Sequence, residues 1–431
     1  MRKTVKCLLA AVMAAGVLIG CQSAREEVSP AETPEPTAAV IVTPVPSEAP
    51  TPTPSPEPTP TPEPTPIVIR VGAVGDIMVM ATQVYGALDD ATGGYDFSRS
   101  YVGVREQFRS VDFMMGNFEC TLAGEDAGYS KKKTDEERVD TFNSPDSVID
   151  TLKDVGFDFL STANNHALDR KMPGLLRTLD VLDEKGVLHT GTARSDEERD
   201  TPLVADVNGI RIGIVSATEI INKHDKWMTP EEASYAVTRL SQQTDRFGAE
   251  IQACRDAGAD FIIAYPHWDK EHKSGPNALT RETAKRLFEQ GVDLIFGSHP
   301  HVVQPIDYMT VTRSDGTEYT GLLVYSMGNF ISNMAPGPLK YGLYVEVEIE
   351  KGVDGRTTLR SAQYMPTYCF VRSEGKRYVH QVVPALEDTG RIRAYSELSA
   401  KELEEVRTAR EHVIEICGDK IPVMEDICWK N

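Results

Sequence analysis

The chain has 431 residues, with 45 Lys and Arg against 65 Asp and Glu, a formal net charge of −20. So acidic a protein is a poor partner for nucleic acid or, through charge alone, for anionic lipid, and it repels polyanions unless a cation intervenes. Its seven cysteines have no tight spacing and so do not read as a disulfide framework, although a Cys417–Cys428 pair stays open.

Arg2, Lys3 and Lys6 precede an apolar run from Leu8 to Ile19, followed by Leu18-Ile-Gly-Cys21. A basic start, a short apolar stretch and a small-residue cleavage site read as a secretory signal over residues 1–20, too short for a membrane span. Cys21 after Leu-Ile-Gly resembles the bacterial lipobox, which implies lipid attachment there and an extracytoplasmic, membrane-tethered protein. An ordinary signal peptide with a coincidental cysteine is the alternative. Cleavage before Cys21 removes three basic residues and leaves a charge of −23, from 42 basic and 65 acidic side chains. Residues 21–66 then form a Pro/Thr/Glu tract without an aromatic residue. Such a segment cannot bury a core and is expected to stay extended, in part as polyproline II. At ~3.1 Å per residue its Ser29–Pro66 portion would reach on the order of 100 Å, as a stalk or as a linker without a spacing role.

From Ile67 the pattern is that of an α/β domain. Ile67 to Gly75 is a buried strand that delivers Asp76 to a turn, and Val111 to Met115 is a second that delivers Gly116-Asn-Phe-Glu119. Gly124 to Asp140, rich in Lys and Glu, reads as an exposed insertion. A helix over Pro145 to Val155 leads to a strand over Phe157 to Leu160, which ends in Asn165 and His166. The next helix opens at Pro173 and stops at Gly186. Strands follow at Val187–Leu188 and Ile210–Val215, then a helix over Arg239 to Ala257. Phe261 to Ala264 is a strand ending at His267-Trp268, and Thr280 to Gln290 is a helix.

The apolar run Leu294 to Phe296 ends in Gly297-Ser-His-Pro-His301. In an extended chain His299 and His301 face one side, just beyond the carboxyl end of a strand, where open α/β sheets place their ligands. Strands alternating with helices imply a mostly parallel sheet covered on both faces. After His301 the runs Val302 to Met309, Tyr319 to Tyr325, Leu343 to Ile349 and Thr358 to Tyr364 read as successive strands, expected to be antiparallel; residues 336–431 end in a helix that starts at the Ser399/Glu402 capping box, and this part is expected to pack on the domain 67–335. No internal repeat is visible.

Asp76, Glu119, Asn165, His166, His267, His299 and His301 all stand at predicted strand ends of one sheet. Each alone is unremarkable: a turn former, a surface carboxylate, a half-buried histidine. Together two carboxylates, an amide oxygen and several imidazoles form a mixed N/O set suited to Zn, Mn or Fe. They suffice for one divalent ion, or for two with Glu119 bridging.

Gly75-Asp76, Gly116-Asn-Phe-Glu119, Asn164-Asn-His-Ala-Leu-Asp169, His267-Trp268 with Glu271, Gly297-Ser-His-Pro-His-Val302 and Ser326-Met-Gly-Asn-Phe330 occur in that order. As a set they resemble the CapA family of poly-γ-glutamate capsule synthesis proteins, which is similar to the calcineurin-like metallophosphoesterases. The resemblance implies a four-layer α/β/β/α sandwich with a C-terminal β/helical extension. It also implies metal ligation by Asp76, Glu119, Asn165, His267, His299 and His301. His166 would assist the leaving group and Asp169 orient it, while Asn117, Trp268, Glu271 and Asn329 would line the cleft. Partners implied are the polymer and its membrane synthesis and export proteins. Where the related phosphoesterases carry a histidine two residues after the first aspartate, this chain has Met78, so one metal position would lose a ligand. Two roles stay open, metal-dependent hydrolysis and an accessory role in binding or guiding polymer. A lipid-tethered solute-binding protein would account for the address but not for the histidines.

Overall fold

The computed structural model describes residues 65–130, 141–240, 244–388, 390 and 398–427. The signal, Cys21, the Pro/Thr tract up to residue 64, Lys131–Arg138 of the insertion, and Cys428 lie outside the described residues. Among the described residues no helix is long and apolar enough to cross a membrane.

The strands, in chain order, are β1 (Ile67–Ile77), β2 (Phe113–Phe118), β3 (Phe159–Ser161), β4 (Leu188–Thr190), β5 (Leu203–Val207), β6 (Ile210–Thr218) and β7 (Phe261–His267). They continue as β8 (Leu294–Phe296), β9 (Ile306–Thr312), β10 (Glu318–Val324), β11 (Asn329–Ile331), β12 (Tyr341–Lys351), β13 (Thr357–Glu374) and β14 (Arg377–Pro384). They form two sheets rather than the single sheet expected of the site residues. One runs β14-β13-β12-β1-β2-β3-β4, with β11 on the end of β1, and the other runs β5-β6-β7-β8-β10-β9. β1 to β4 are parallel to one another, and so are β6, β7, β8 and β10.

Val71, Ala73 and Met115 of the first sheet share one apolar cluster with Ile212, Ile263, Leu294 and Val324 of the second. The outer side of the second sheet is a separate cluster. There Ile262, Ile295 and Leu323 meet Phe247, Ile251, Ala284 and Leu287 of the helices Thr244–Asp256 and Ala278–Glu289. On the first sheet the helix Ser147–Val155 buries Val148, Ile149, Leu152 and Val155, four residues on one helical face. Helix on sheet on sheet on helix is the four-layer α/β/β/α sandwich.

Several expected boundaries shift. The helix expected from Arg239 is described over Thr244–Asp256, while Arg239 and Leu240 are tied instead to Thr218 at the end of β6. The later strands are antiparallel to their chain neighbours as expected, β9 with β10 and β12 with β13 and β14, but in two groups that belong to different sheets. β9 and β10 join the second sheet, with β10 parallel to β8, whereas β12 pairs antiparallel with β1 from Ile67↔Lys351 to Val74↔Tyr344. β13 and β14 extend the first sheet outward from β12. The helix Ala400–Cys417 carries the expected capping box and buries Val406, Ala409 and Val413.

Candidate metal centre

β1 places Asp76 by a close approach of two chain segments. The Asp76 amide donates to the Gly328 carbonyl at 2.9 Å. A Cβ on Gly75 would lie 1.9 Å from that same oxygen, so only glycine fits before the aspartate. β2 runs beside β1 and carries Asn117 and, one residue past its end, Glu119. Asp76, Asn117 and Glu119 are fully buried. Asn117 Nδ2 donates to Asp76 Oδ1 at 2.8 Å and lies 3.5 Å from Glu119 Oε2, so it spaces the two carboxylates.

The second sheet supplies the imidazoles from its facing edge. His267 closes β7, and its Nε2 stands 2.9 Å from Asn165 Oδ1, which arrives from the loop after β3. Its Nδ1 faces the Ser298 hydroxyl at 3.0 Å. His301 Nδ1 lies 3.1 Å from Asp76 Oδ2 and 3.0 Å from Asn329 Oδ1. The His299 ring is centred 4.5 Å from that of His267 and 5.7 Å from that of His301. The two histidines do converge, but not through the alternation of an extended strand. His299 (φ 98°) and His301 (φ 58°) both have left-handed backbone, an uncommon state for such residues, in a turn whose Pro300 carbonyl accepts from the His272 amide.

At the centre Glu119 Oε1 has no hydrogen-bond partner, and neither has His299 Nδ1. Three imidazole Nε2 atoms surround that oxygen, His301 at 3.7 Å, His267 at 3.8 Å and His166 at 3.9 Å. These gaps are too long for hydrogen bonds. They match two atoms that each bond one ion at ~2.1 Å, which stand roughly 3–4 Å apart. Two overlapping groups could hold a metal, Glu119 with His299 and His301, and Asp76 with Glu119 and His267. Glu119 belongs to both, the place of a bridging carboxylate.

The charges favour a cation. Burial, reinforced by the charge of Asp76, pushes the Glu119 carboxyl well above the usual carboxylate range. Burial and then the neighbouring imidazoles drive His267 well below the usual histidine value, and burial and then His301 take His299 down to about 3. Both are therefore neutral and free to ligate. Burial opposes charging of His301 as well, but its hydrogen bond to Asp76 outweighs that and raises it.

His166 sits on the rim of the cluster. Its Nδ1 is 2.6 Å from Asp169 Oδ2, which also accepts from the Phe142 amide, and its ring packs 4.3 Å from the Phe142 ring. Asn329 touches His301, and Asn117 touches Asp76 and His267, so both border the cluster. Trp268 does not line a cleft. It is fully buried in the outer core of the second sheet and donates Nε1–H to the Tyr325 carbonyl at 2.9 Å. Glu271 is on an exposed loop and reaches Glu119 and His301 only through its charge. Met78 is buried in the core between the sheets, with its amide on the Ile331 carbonyl.

Three supporting residues escaped the sequence reading. Asn164 donates to Asn117 Oδ1 at 3.2 Å and accepts from the His166 amide at 3.1 Å; its place in the Asn-Asn-His motif was the available signal. Ser298 orients His267. His224 stacks on Trp227 with ring centres 3.9 Å apart and points Nδ1 at Asp169 Oδ1 across 3.8 Å, from the short 3-10 helix His224–Trp227, which has no recognisable sequence pattern.

The family model described as bacterial capsule synthesis protein PGA_cap matches residues 70–334, more than half of the chain. The chain belongs to this family. The matched stretch contains every residue of the cluster. Among individual relatives, the PGA biosynthesis protein CapA of Bacillus subtilis (strain 168) is 26% identical over 298 residues, 67% of this chain and 70% of that protein. The capsule biosynthesis protein CapA of Bacillus anthracis is 25% identical over 261 residues, 60% of this chain and 58% of that one. Of solved structures, the NAD nucleotidase of Haemophilus influenzae is similar with a TM-score of 0.41 and 10% identity, over 84% of this chain and 58% of that one.

Proposed function

We propose that this PGA_cap protein is a lipid-anchored, extracytoplasmic, metal-dependent hydrolase of the phosphoesterase type. It would act in the synthesis, export or anchoring of an envelope polymer such as poly-γ-glutamate. The observation that carries the reading is the orphaned Glu119 Oε1 facing three imidazole nitrogens at 3.7–3.9 Å in a fully buried cluster. Asp76, Glu119, Asn165, His267, His299 and His301 would hold one or two ions of Mn, Zn or Fe. A bound divalent ion supplies Lewis acidity: it lowers the pKa of a water and neutralises charge on a phosphoryl oxygen. The protein's own part is proton transfer and exclusion of solvent. Asp169 fixes His166 through Nδ1, which leaves Nε2 facing the cluster, and the protonated ring gives Nε2–H to the leaving oxygen. Asn164 and Asn117 hold the Asn165–His166 loop in register with the carboxylates.

The accessory reading, in which the fold binds or guides polymer without turnover, is favoured by Met78 in place of a ligand. One set of measurements separates the two. The purified full chain, loaded with Mn or Zn, is expected to retain at least one equivalent, and less than about a tenth of an equivalent would sink the metal centre. An aryl phosphomonoester or diester is expected to turn over, and His166→Asn to lose roughly 10²–10⁴-fold in kcat with metal still bound. Metal bound without turnover of any such ester would hand the case to the accessory role. The basic start, the apolar run and Leu18-Ile-Gly-Cys21 support the anchor. Cys21→Ser should release the protein from the membrane fraction.

A further inference from the structure

One buried histidine outside the metal cluster faces the group that orients the candidate acid. Asp169 fixes His166, and it uses only one of its two oxygens to do so. Oδ2 accepts from the Phe142 amide and pairs with His166 Nδ1, each at 2.6 Å. Oδ1 is buried and has no hydrogen-bond partner among the described residues. Opposite it, 3.8 Å away, stands Nδ1 of His224, itself buried and without a partner among the described residues. Burial holds His224 below the usual histidine range, against the pull of the Asp169 charge, so the ring is neutral at neutral pH. A neutral imidazole carries one N–H, and a carboxylate opposite Nδ1 selects the tautomer with the proton there. The two orphaned atoms are thus donor and acceptor to one another. At 3.8 Å the bond is not made, and a side-chain shift of about 1 Å would make it. Hydrogen bonds among catalytic groups are often long before the reactant binds and tighten with it.

The chain around His224 fixes its ring. The ring stacks on Trp227 with planes 23° from parallel, and the His224 amide donates to the Ile221 carbonyl at 2.8 Å. Ile221 and Trp227 pack in one apolar cluster with Ala167 and Leu168, the two residues between His166 and Asp169. Asn222 Oδ1 faces Asn165 Nδ2 at 3.5 Å. Asn222 (φ 49°) and Lys223 (φ 59°) are consecutive left-handed residues, a backbone state that persists only where the surroundings impose it. That strain sits directly before the histidine that faces Asp169.

We propose that His224 is a positioning residue for the hydrolysis: its Nδ1–H binds Asp169 Oδ1, so that the carboxylate cannot turn and the His166 ring keeps Nε2 on the cluster. Asp169 is then held through both oxygens, by Phe142 and His166 on one and by His224 on the other. The effect on rate rests on the hydrolase reading, but the hydrogen bond itself is observable without turnover.

Two variants separate this role from packing, because the two roles rank them in opposite orders. His224→Phe keeps the stack on Trp227 and removes the donor, whereas His224→Asn loses the stack and puts an amide nitrogen near the place of Nδ1. With metal-loaded full chain and an aryl phosphate ester, His224→Phe should lower kcat roughly 10- to 100-fold with KM and metal stoichiometry unchanged. His224→Asn should restore kcat to within about threefold of wild type. The reverse order, or both variants equal to wild type, would overturn the proposal. The second readout is magnetic resonance of the zinc-loaded full chain with isotope-labelled histidines. Wild type should show His224 protonated at Nδ1, its signal identified by its loss in His224→Phe. In that variant the Nδ1 proton of His166 should exchange with water at least about tenfold faster. A His224 ring protonated at Nε2 alone overturns the proposal even if esters turn over. If wild type turns over no ester, the hydrolase reading fails by itself and the two ring signals decide the positioning of Asp169 and His166. If neither variant folds, the wild-type His224 ring decides it.

Discussion

Glu119 is the residue whose replacement tests the centre most directly. Glu119→Gln keeps the shape and removes the charge. In metal-free protein the wild-type carboxylate is fully buried, one oxygen has no partner, and Asp76 is held close by Asn117. A buried unsatisfied group of this kind costs on the order of 1–3 kcal/mol. Burial and the Asp76 charge already push the Glu119 carboxyl well above the usual carboxylate range, and the amide is neutral without taking up a proton, so in EDTA the variant should melt at or above the wild-type temperature. With Mn or Zn the order inverts. An ion at 100 times its Kd stabilises the wild type by ~2.7 kcal/mol, which for a domain of this size is a shift on the order of 5 °C. Glu119 is shared by both candidate ligand groups, so the variant should lose at least half of that shift. Differential scanning calorimetry with and without metal reads both arms. Equal metal-induced shifts in the two proteins, or a variant that melts well below wild type in EDTA, would refute the reasoning.

Two further outcomes follow from burial elsewhere. His380 in β14 is 2% exposed, has Nε2 on Asn333 Oδ1 at 2.9 Å, and is brought down to about 4 by burial. Its folded pKa lies below its unfolded value of ~6.5, so its contribution is complete above that pH and is lost as pH falls toward about 4. The loss reaches roughly 3 kcal/mol. His380→Gln, compared with wild type in urea melts between pH 7 and 4, should flatten that part of the acid slope, and parallel slopes would count against it. Trp268→Phe removes the hydrogen bond to the Tyr325 carbonyl and opens space in the outer core. It should cost about 2–4 kcal/mol of stability with metal stoichiometry unchanged, and lost metal at unchanged stability would return Trp268 to the site.

The residues of the cluster could be read from the chain because each closes a strand or follows one within a few positions, and each brings a polar side chain where a buried strand should have ended in a plain turn. What periodicity does not encode is which strand lies beside which. Burial marks β7 and β2 as interior strands but does not say that they belong to different sheets, so the cluster was expected on one sheet edge and is instead clasped between two. The His299–Pro300–His301 geometry was hidden for a related reason. A left-handed pair of histidines is stabilised by contacts with Asp76 and His272, far off in sequence, whereas local preference favours the extended form. Trp268 was misplaced because an indole beside a ligand suggests a cleft wall. Its actual partner, the Tyr325 carbonyl, is visible only once β10 is laid beside β8. β5 escaped because it is an edge strand of only five residues, and β14 because Arg377, His380 and Gln381 interrupt its apolar pattern.

The pairing of β1 with β12 has a consequence for how the molecule comes to exist. β1 is the first strand of the domain to leave the ribosome, yet its antiparallel neighbour begins at Tyr341, beyond the end of the family-matched stretch at residue 334. A fragment cut at that limit would keep every residue of the cluster and still expose one long edge of the strand that carries Asp76. It should aggregate rather than bind metal. The intact chain must hold its first strand half-paired until β12 has been made, and contacts so distant in sequence make folding slow. Assembly of the centre is therefore a late event, timed by a part of the chain that contributes no ligand to it.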